Sequence, residues 1–160
     1  MDNIFNKTAM TMEDIKKVIP HRDPLLLIDC VHEINLGKNI ITSKLLTKDE
    51  PVFRGHFPEN PIYPGIYYIE ALAQSAAVLG LTTRKEMGII ESNIGFLSSV
   101  DDVRFRKQGV PGDRIKYEIA IDKMRAAFVW FKGKAYINDE VAVECTLSIA
   151  IAPQKKDLKE

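Results

Sequence analysis

The sequence has few of the residues that hold metal ions or cross-links. It contains two cysteines and three histidines among 160 residues. Cys30 and Cys145 lack the CxxC spacing of metal and redox motifs, and each lies in an apolar, strand-like run. We therefore expect neither a disulfide framework nor a metal site, and we interpret the two thiols as reduced core side chains of a cytoplasmic protein.

The sequence also lacks a net charge and a long apolar run. Its 22 basic and 22 acidic residues cancel, so net charge gives no reason to expect a nucleic-acid partner. The first ten residues, MDNIFNKTAM, lack the basic and apolar segments of a secretory signal. The longest largely apolar stretch, residues 66–81, is shorter than the roughly 20 residues that span a bilayer, so no membrane span is predicted.

What the chain does contain is enough apolar residues for one core. With 46% hydrophobic residues in 160, it is expected to form one domain over residues 1–153. The polar end QKKDLKE, residues 154–160, is interpreted as a solvated tail.

The patterns along the chain predict a mixture of helix and strand. Thr11 and Asp14 have the spacing of a capping box, which predicts a short helix ending at Pro20. Residues 82–95 are interpreted as a loop or frayed helix. Strands are predicted at residues 25–31, 39–46, 95–107, 114–123, 126–137 and 141–152. The fold class is therefore α+β, with an antiparallel sheet curled round one long apolar helix.

The long helix and the loop before it form the most informative stretch, residues 55–80, GHFPENPIYPGIYYIEALAQSAAVLG. Its prolines exclude helix over residues 57–64 and predict a stiff connector that holds His56. After Gly65, residues 66–81 are rich in alanine and free of proline, which favours a helix. Because this helix is apolar on nearly every side, it is predicted to lie in the core.

Three residues in this stretch could carry chemistry: His56 as a base, Glu70 as an acid and Gly65 as an oxyanion site. Burial of Glu70 is expected to raise the pKa of its carboxyl group and make it a general acid, with Gln74 one turn later to orient it. Gly65 begins the helix, where free N–H groups could bind a developing oxyanion. Each residue also has a simpler interpretation: His56 satisfied by local backbone, Glu70 reaching solvent or an ion pair, and Gly65 as an ordinary turn glycine.

The stretch resembles the active-site segment of the (3R)-hydroxyacyl-(acyl-carrier-protein) dehydratases of the FabZ type, whose pattern is approximately GHFPxxPxxPGxxxxEAxAQ. Every fixed position is met between Gly55 and Gln74. The segments PHRDPLLLID at 20–29 and VRFRKQGVPGD at 103–113 are similar to two further blocks of that family. The resemblance covers most of the chain and implies the hotdog fold.

The resemblance also implies a reaction. A hydro-lyase of this family removes water from a 3-hydroxyacyl thioester and gives a trans-2-enoyl thioester in fatty-acid, or related lipid or polyketide, biosynthesis. His56 would take the proton beside the thioester carbonyl, Glu70 would protonate or activate the leaving hydroxyl, and the Gly65 N–H would polarise the carbonyl. Phe57 and Gln74 would help bind the substrate. No cofactor is implied.

The resemblance further implies two kinds of partner. One is a second copy of the chain, with His56 of one subunit facing Glu70 of the other, and dimers of this kind commonly form hexamers. The other is the acidic acyl carrier protein that presents the substrate. Arg104, Arg106 and Lys107 are candidate docking residues, because alternation with Phe105 puts both arginines on one strand face. The alternative is that these three residues form a solvated outer face of the sheet.

His21 is interpreted as a structural loop histidine.

Three positions depart from the usual family pattern: Asp23, Tyr67 and Asp102. Tyr67 could shorten the acyl pocket, so a paralogue serving a specialised pathway is one interpretation. A hotdog thioesterase is one alternative, and the long HFP to EAxAQ segment argues against it. A catalytically silent acyl-carrier-binding scaffold is another, and the intact His56 and Glu70 argue against it. A related dehydratase that also isomerises the double bond normally has aspartate in place of Glu70.

Overall fold

The chain folds into one long helix packed against an antiparallel sheet. The structure, a computed structural model, describes residues 3–89 and 92–152. The helices are α1 (Met12–Val18) and α2 (Gly65–Glu86), with short 3₁₀ turns at Ile4–Asn6 and Pro51–Arg54. The strands are β1 (Cys30–Asn35), β2 (Asn39–Leu45), β3 (Gly95–Phe105), β4 (Arg114–Arg125), β5 (Phe128–Ile137) and β6 (Glu140–Ile151). The predicted α+β class is confirmed.

The six strands form one antiparallel sheet in the order β1-β2-β4-β5-β6-β3. Its register shifts at several points, including between Val31 and Glu33 in β1 and between Ile121 and Lys123 in β4. Such bulges bend strands and increase their twist. The curved sheet contacts α2 through strands β2 to β6.

Helix α2 supplies the centre of the core. All ten residues from Ala71 to Gly80 are buried, so the helix is enclosed on every side over this span, as its composition predicts. Small side chains let the sheet approach closely. A Cβ on Gly133 of β5 would lie 2.9 Å from Ile119 Cδ1 and 3.2 Å from Leu72 Cδ2, so any larger residue would displace these side-chain ends.

Two predicted boundaries are wrong. Helix α2 continues to Glu86 instead of ending near residue 81, because Thr83 is still buried and its hydroxyl accepts a hydrogen bond from Gly37 N. Residues 25–29 are a loop, and β1 begins at Cys30. Leu25 O and Leu27 N of this loop bond to the side chain of Gln74 on α2, and bonding to the neighbouring strand β2 starts only at Asp29, whose N–H donates to Ser43 O.

Several other predictions are confirmed. Thr11 and Asp14 form the capping box of α1, with Asp14 N donating to Thr11 Oγ1 and Thr11 N donating to Asp14 Oδ2. The last four strands begin and end within about two residues of their predicted limits. Neither helix that the structure describes is both long and apolar enough to cross a membrane. The predicted tail, residues 154–160, lies outside the described residues.

The two edges of the sheet differ. The β1 edge is covered by the chain before α1, where Val31 exchanges backbone hydrogen bonds with Met10. The outer edge of β3 has no partner strand in the described ranges, although β3 is 11 residues long. Phe96, Leu97 and Phe105 of this strand are exposed. A long, apolar, unpaired edge is a template for a further strand.

The burial of α2 gives a test of the fold. Leu72→Ala empties a fully buried site between α2 and the sheet, and it should lower the free energy of unfolding by about 2–5 kcal/mol. Met87→Ala, at an exposed position after the same helix, should change it by less than about 0.5 kcal/mol. Urea unfolding at one protein concentration measures both. Equal losses would contradict the placement of Leu72 in the core.

Candidate active site

His56 lies in the loop between the 3₁₀ turn at Pro51–Arg54 and α2. Its backbone is fixed on both sides, since its N–H donates to Val52 O and its carbonyl accepts from Ile62 N, each at 3.0 Å. The ring Nδ1 lies 2.8 Å from Ile62 O, a carbonyl that can only accept. Nδ1 therefore carries the proton, and Nε2 of the neutral ring is left with a free lone pair.

Phe57 follows His56 and stacks on its ring, with ring centroids 4.0 Å apart and planes at 26°. The Phe57 ring is half exposed and does not line the adjacent pocket within one chain. The contact limits the rotation of the His56 ring.

A pocket of about 480 Å³ opens beside His56 at the start of α2. It is lined by His56, Ile62, Tyr63, Gly65, Tyr68, Phe105, Arg106, Lys107, Gln108 and Val143. A Cβ on Gly65 would lie 2.8 Å from Phe105 Cε1, so any larger residue would push the phenyl ring aside. The first N–H groups of a helix have no partner within it, so the Gly65 end of α2 offers hydrogen-bond donors and the positive end of the helix dipole at this pocket.

Glu70 lies on α2, at the edge of its buried span, and about a third of its side chain is exposed. Its Oε1 accepts a hydrogen bond from Gln74 Nε2 at 2.8 Å and lies 3.5 Å from His21 Nε2. The His21 imidazole is the largest influence on the carboxyl pKa and lowers it, burial acts in the opposite direction, and Gln74 lowers it further. The predicted rise in the pKa of Glu70 is therefore wrong for the single chain.

Gln74 makes three hydrogen bonds from one buried side chain. Its Oε1 accepts from Leu27 N at 2.8 Å, and its Nε2 donates to Leu25 O at 2.7 Å as well as to Glu70. The predicted contact between Gln74 and Glu70 is thus present. The same amide also ties the loop before β1 to α2.

His56 and Glu70 belong to separate parts of one chain. No hydrogen bond or ion pair joins them among the described residues, and Glu70 does not line the pocket beside His56. One chain therefore presents two half-sites. The first holds His56 and Gly65 in a pocket, and the second holds Glu70 with His21 and Gln74.

The three basic candidates differ in their surroundings. Arg106 and Lys107 line the pocket, but Arg106 pairs with Glu144 of β6 and Lys107 with Glu140 at 3.1 Å. Arg104 is exposed and donates a hydrogen bond to Val103 O. Part of the expected basic patch is therefore neutralised by acidic residues of this chain.

The residues that depart from the family pattern do not line the pocket beside His56, although the ring of Tyr67 packs on that of Tyr63, which does. Asp23 is exposed in the loop after α1, and Asp102 has a φ of 53° at an irregular part of β3. Tyr67 does not line the pocket, whereas Tyr63 and Tyr68 do. The sequence analysis does not single out these two tyrosines. Their only signal is that they lie within three residues of Gly65.

His21 was the other residue that sequence reasoning undervalued. Its place in the PHRDPLLLID block was the available signal, but nothing in the sequence indicated that this loop lies against Glu70.

No group of three or more histidine, cysteine, aspartate or glutamate side chains in residues 3–89 and 92–152 is arranged to hold a metal ion.

Known proteins share both the sequence and the architecture. The family model of the FabA-like domain matches residues 19–146. A 3-hydroxyacyl-(acyl-carrier-protein) dehydratase FabZ from Oceanobacillus iheyensis is 41% identical over 89% of this chain and 99% of that protein. Its counterpart from Staphylococcus saprophyticus is also 41% identical, over 91% of this chain and 97% of that protein.

Solved structures show the same fold. The dehydratase heterocomplex ApeI:P from Xenorhabdus doucetiae contains a chain that matches with a TM-score of 0.76 and 22% identity, covering 90% of this chain and 93% of that one. A Streptococcus mutans protein bound to acetyl CoA matches with a TM-score of 0.60 and 10% identity, covering 79% of this chain and 90% of that one. These matches confirm the hotdog fold.

The family resemblance first seen in residues 55–74 is therefore confirmed over most of the chain: it belongs to the FabA-like family, among the 3-hydroxyacyl-(acyl-carrier-protein) dehydratases of the FabZ type.

Proposed function

We propose that this chain is a hydro-lyase that converts a (3R)-hydroxyacyl thioester of acyl carrier protein into the trans-2-enoyl thioester in fatty-acid biosynthesis. One observation carries the proposal: His56, whose Nδ1 is bound to Ile62 O, lines the same pocket as the N-terminus of α2 at Gly65. A base beside an oxyanion site is what proton removal next to a thioester carbonyl requires. The FabZ relatives named above support the choice of substrate.

In this proposal His56 Nε2 takes the proton from carbon 2. The electrons of that C–H bond form the double bond to carbon 3, and negative charge builds on the thioester oxygen in the transition state. Gly65 N–H would stabilise that charge, helped by the positive end of the α2 dipole. The ring of His56 stays oriented through Nδ1–H, which donates to Ile62 O.

The hydroxyl on carbon 3 leaves as water after it receives a proton from Glu70. His56, now protonated, returns its proton to the Glu70 carboxylate, which restores both groups. The pair therefore shares one proton in each cycle. Because the Glu70 pKa is lowered in the single chain, we expect its carboxylate form to predominate at neutral pH and the proton-carrying form to be a minor species.

We further propose that two chains pair through β3, so that His56 of one subunit faces Glu70 of the other. Two features support this. Neither half-site is complete in one chain, and the β3 edge is unpaired within the described ranges and carries exposed Phe96 and Leu97. Antiparallel pairing of two β3 edges would continue the sheet across both subunits.

The carrier protein would dock at the mouth of the pocket, where Arg106 and Lys107 lie. Their ion pairs with Glu144 and Glu140 are exposed enough to be exchanged for acidic groups of a partner.

Both cysteines are free thiols, in keeping with the reducing cytoplasm that we propose as the location.

The reaction can be tested with a 3-hydroxybutyryl and crotonyl thioester pair, followed by absorbance. We expect the wild type to catalyse dehydration and hydration. His56→Ala removes the base and Glu70→Gln the transferable proton, and each should lower kcat by about 10²–10⁴-fold. Circular dichroism of each variant checks whether it stays folded. Release of free thiol without enoyl product would instead identify a thioesterase, and no turnover at any chain length would contradict both activities.

Carrier docking can be tested by charge reversal. Arg106→Glu should raise KM for a carrier-linked substrate by about fivefold, the equivalent of one exposed charge interaction, and leave KM for a small thioester nearly unchanged. Lys132→Glu is the matched control, because Lys132 is an exposed residue of the central strand β5 that pairs with Asp122 and does not line this pocket. It should change neither KM. If Arg106→Glu affects both substrates equally, docking at this face is wrong.

Pairing through β3 can be tested by light scattering coupled to gel filtration. Phe96 is 61% exposed, and Phe96→Glu should shift the protein towards monomer and lower activity, because a charge would be buried between the strands. Leu36→Glu is the control, since Leu36 is 41% exposed in the β1–β2 turn. A fully active monomeric wild type would contradict the shared site.

A further inference from the structure

We propose that His21 is a positioning residue for Glu70: it holds one carboxylate oxygen so that the other is presented to the substrate hydroxyl. The inference rests on the proposed role of Glu70. Its basis is the place where the loop between α1 and β1 lies against α2.

The two contacts to Glu70 fall on the same oxygen. Gln74 Nε2 is 2.8 Å and His21 Nε2 is 3.5 Å from Oε1, whereas Oε2 accepts no hydrogen bond from any described residue. The hydrogen bond from Gln74 and the longer contact from His21 restrain the same oxygen, and the other oxygen keeps a free acceptor. This free oxygen is the one that can meet the substrate.

His21 is itself held by its loop. The Arg22 guanidinium donates to His21 O at 2.7 Å, to Ile19 O at 3.1 Å and to Lys16 O at 3.1 Å, so it fastens the loop to the end of α1. A few residues later, Gln74 fastens the same loop to α2 through Leu25 and Leu27. The backbone on the two sides of His21 is thus tied to α1 and to α2, the helix that carries Glu70.

The other ring nitrogen indicates where the proton of His21 lies. Nδ1 is buried and has no hydrogen-bond partner in the described part of the chain. A buried N–H without a partner is costly, so the proton is favoured on Nε2. That nitrogen is the one that faces Glu70 and can donate to it.

The arrangement also affects the charge of the carboxyl group. His21 is the titratable side chain in contact with Glu70 in residues 3–89 and 92–152, Gln74 is neutral, and the proposed dimer would add the partner's His56. Loss of the His21 donor should therefore raise the Glu70 pKa. The productive state holds one proton on the His56–Glu70 pair, so the acid limb marks protonation of the Glu70 carboxylate when His56 already carries that proton. A higher Glu70 pKa should therefore move this limb to higher pH.

The test compares His21→Ala, His21→Gln and Lys17→Ala in the intact protein, with crotonyl and 3-hydroxybutyryl thioesters. The alanine variant should lower kcat on the order of three- to tenfold with little change in KM, and shift the acid limb of kcat/KM to higher pH. The glutamine variant, which keeps an N–H donor, should recover part of both effects. Lys17→Ala, in an exposed ion pair on α1, should behave as wild type.

The results separate this inference from the proposed function. A wild type without dehydratase activity would refute the function itself. An active wild type whose kcat and acid limb are unchanged in His21→Ala would overturn the positioning role. A loss in His21→Ala that glutamine does not recover, with an unmoved pH profile, would also overturn it, because it would show only that the loop needs a histidine for packing.

Discussion

Burial of α2 against the curved sheet is the constraint on which the site depends. The helix is enclosed from Ala71 to Gly80, so it cannot slide or rotate without opening the core. Its N-terminus at Gly65 is thereby fixed beside His56, and Glu70 is fixed where the helix emerges from the sheet. The packing of α2 therefore positions both half-sites, although Gly65 and Glu70 lie about one and a half turns apart on the helix.

The loops add what the helix cannot supply. His56 stands on a loop whose own backbone bonds fix it, and its ring is held by the Ile62 carbonyl. The loop before β1 is held by polar side chains instead. Arg22 and Gln74 form hydrogen bonds to its backbone carbonyls, as a neighbouring strand would otherwise do. Both main-chain groups of His56 are hydrogen-bonded, which fixes this position in the loop.

Much of this could be predicted from the sequence, and the failures have physical causes. Local patterns predicted the capping box of α1, the burial of α2 and the last four strands, because these depend on neighbours in the chain. The lowered pKa of Glu70 depends on His21, 49 residues away, and no local pattern reports such a contact. The loop at residues 25–29 has an apolar, strand-like composition, but its Leu25 O and Leu27 N bond to a helix side chain. The proposed pairing of two copies likewise has no local pattern in one chain.

The three hydrogen bonds of Gln74 limit what chemistry this position can tolerate. Leu27 N–H needs an acceptor, whereas Leu25 O and Glu70 Oε1 need donors, and all of these meet at one buried side chain. A carboxylate of the same length would offer only acceptors and would repel Glu70, and an ammonium group would offer only donors. An amide is therefore selected here by the balance of donors and acceptors, and side-chain volume alone would not distinguish it from glutamate.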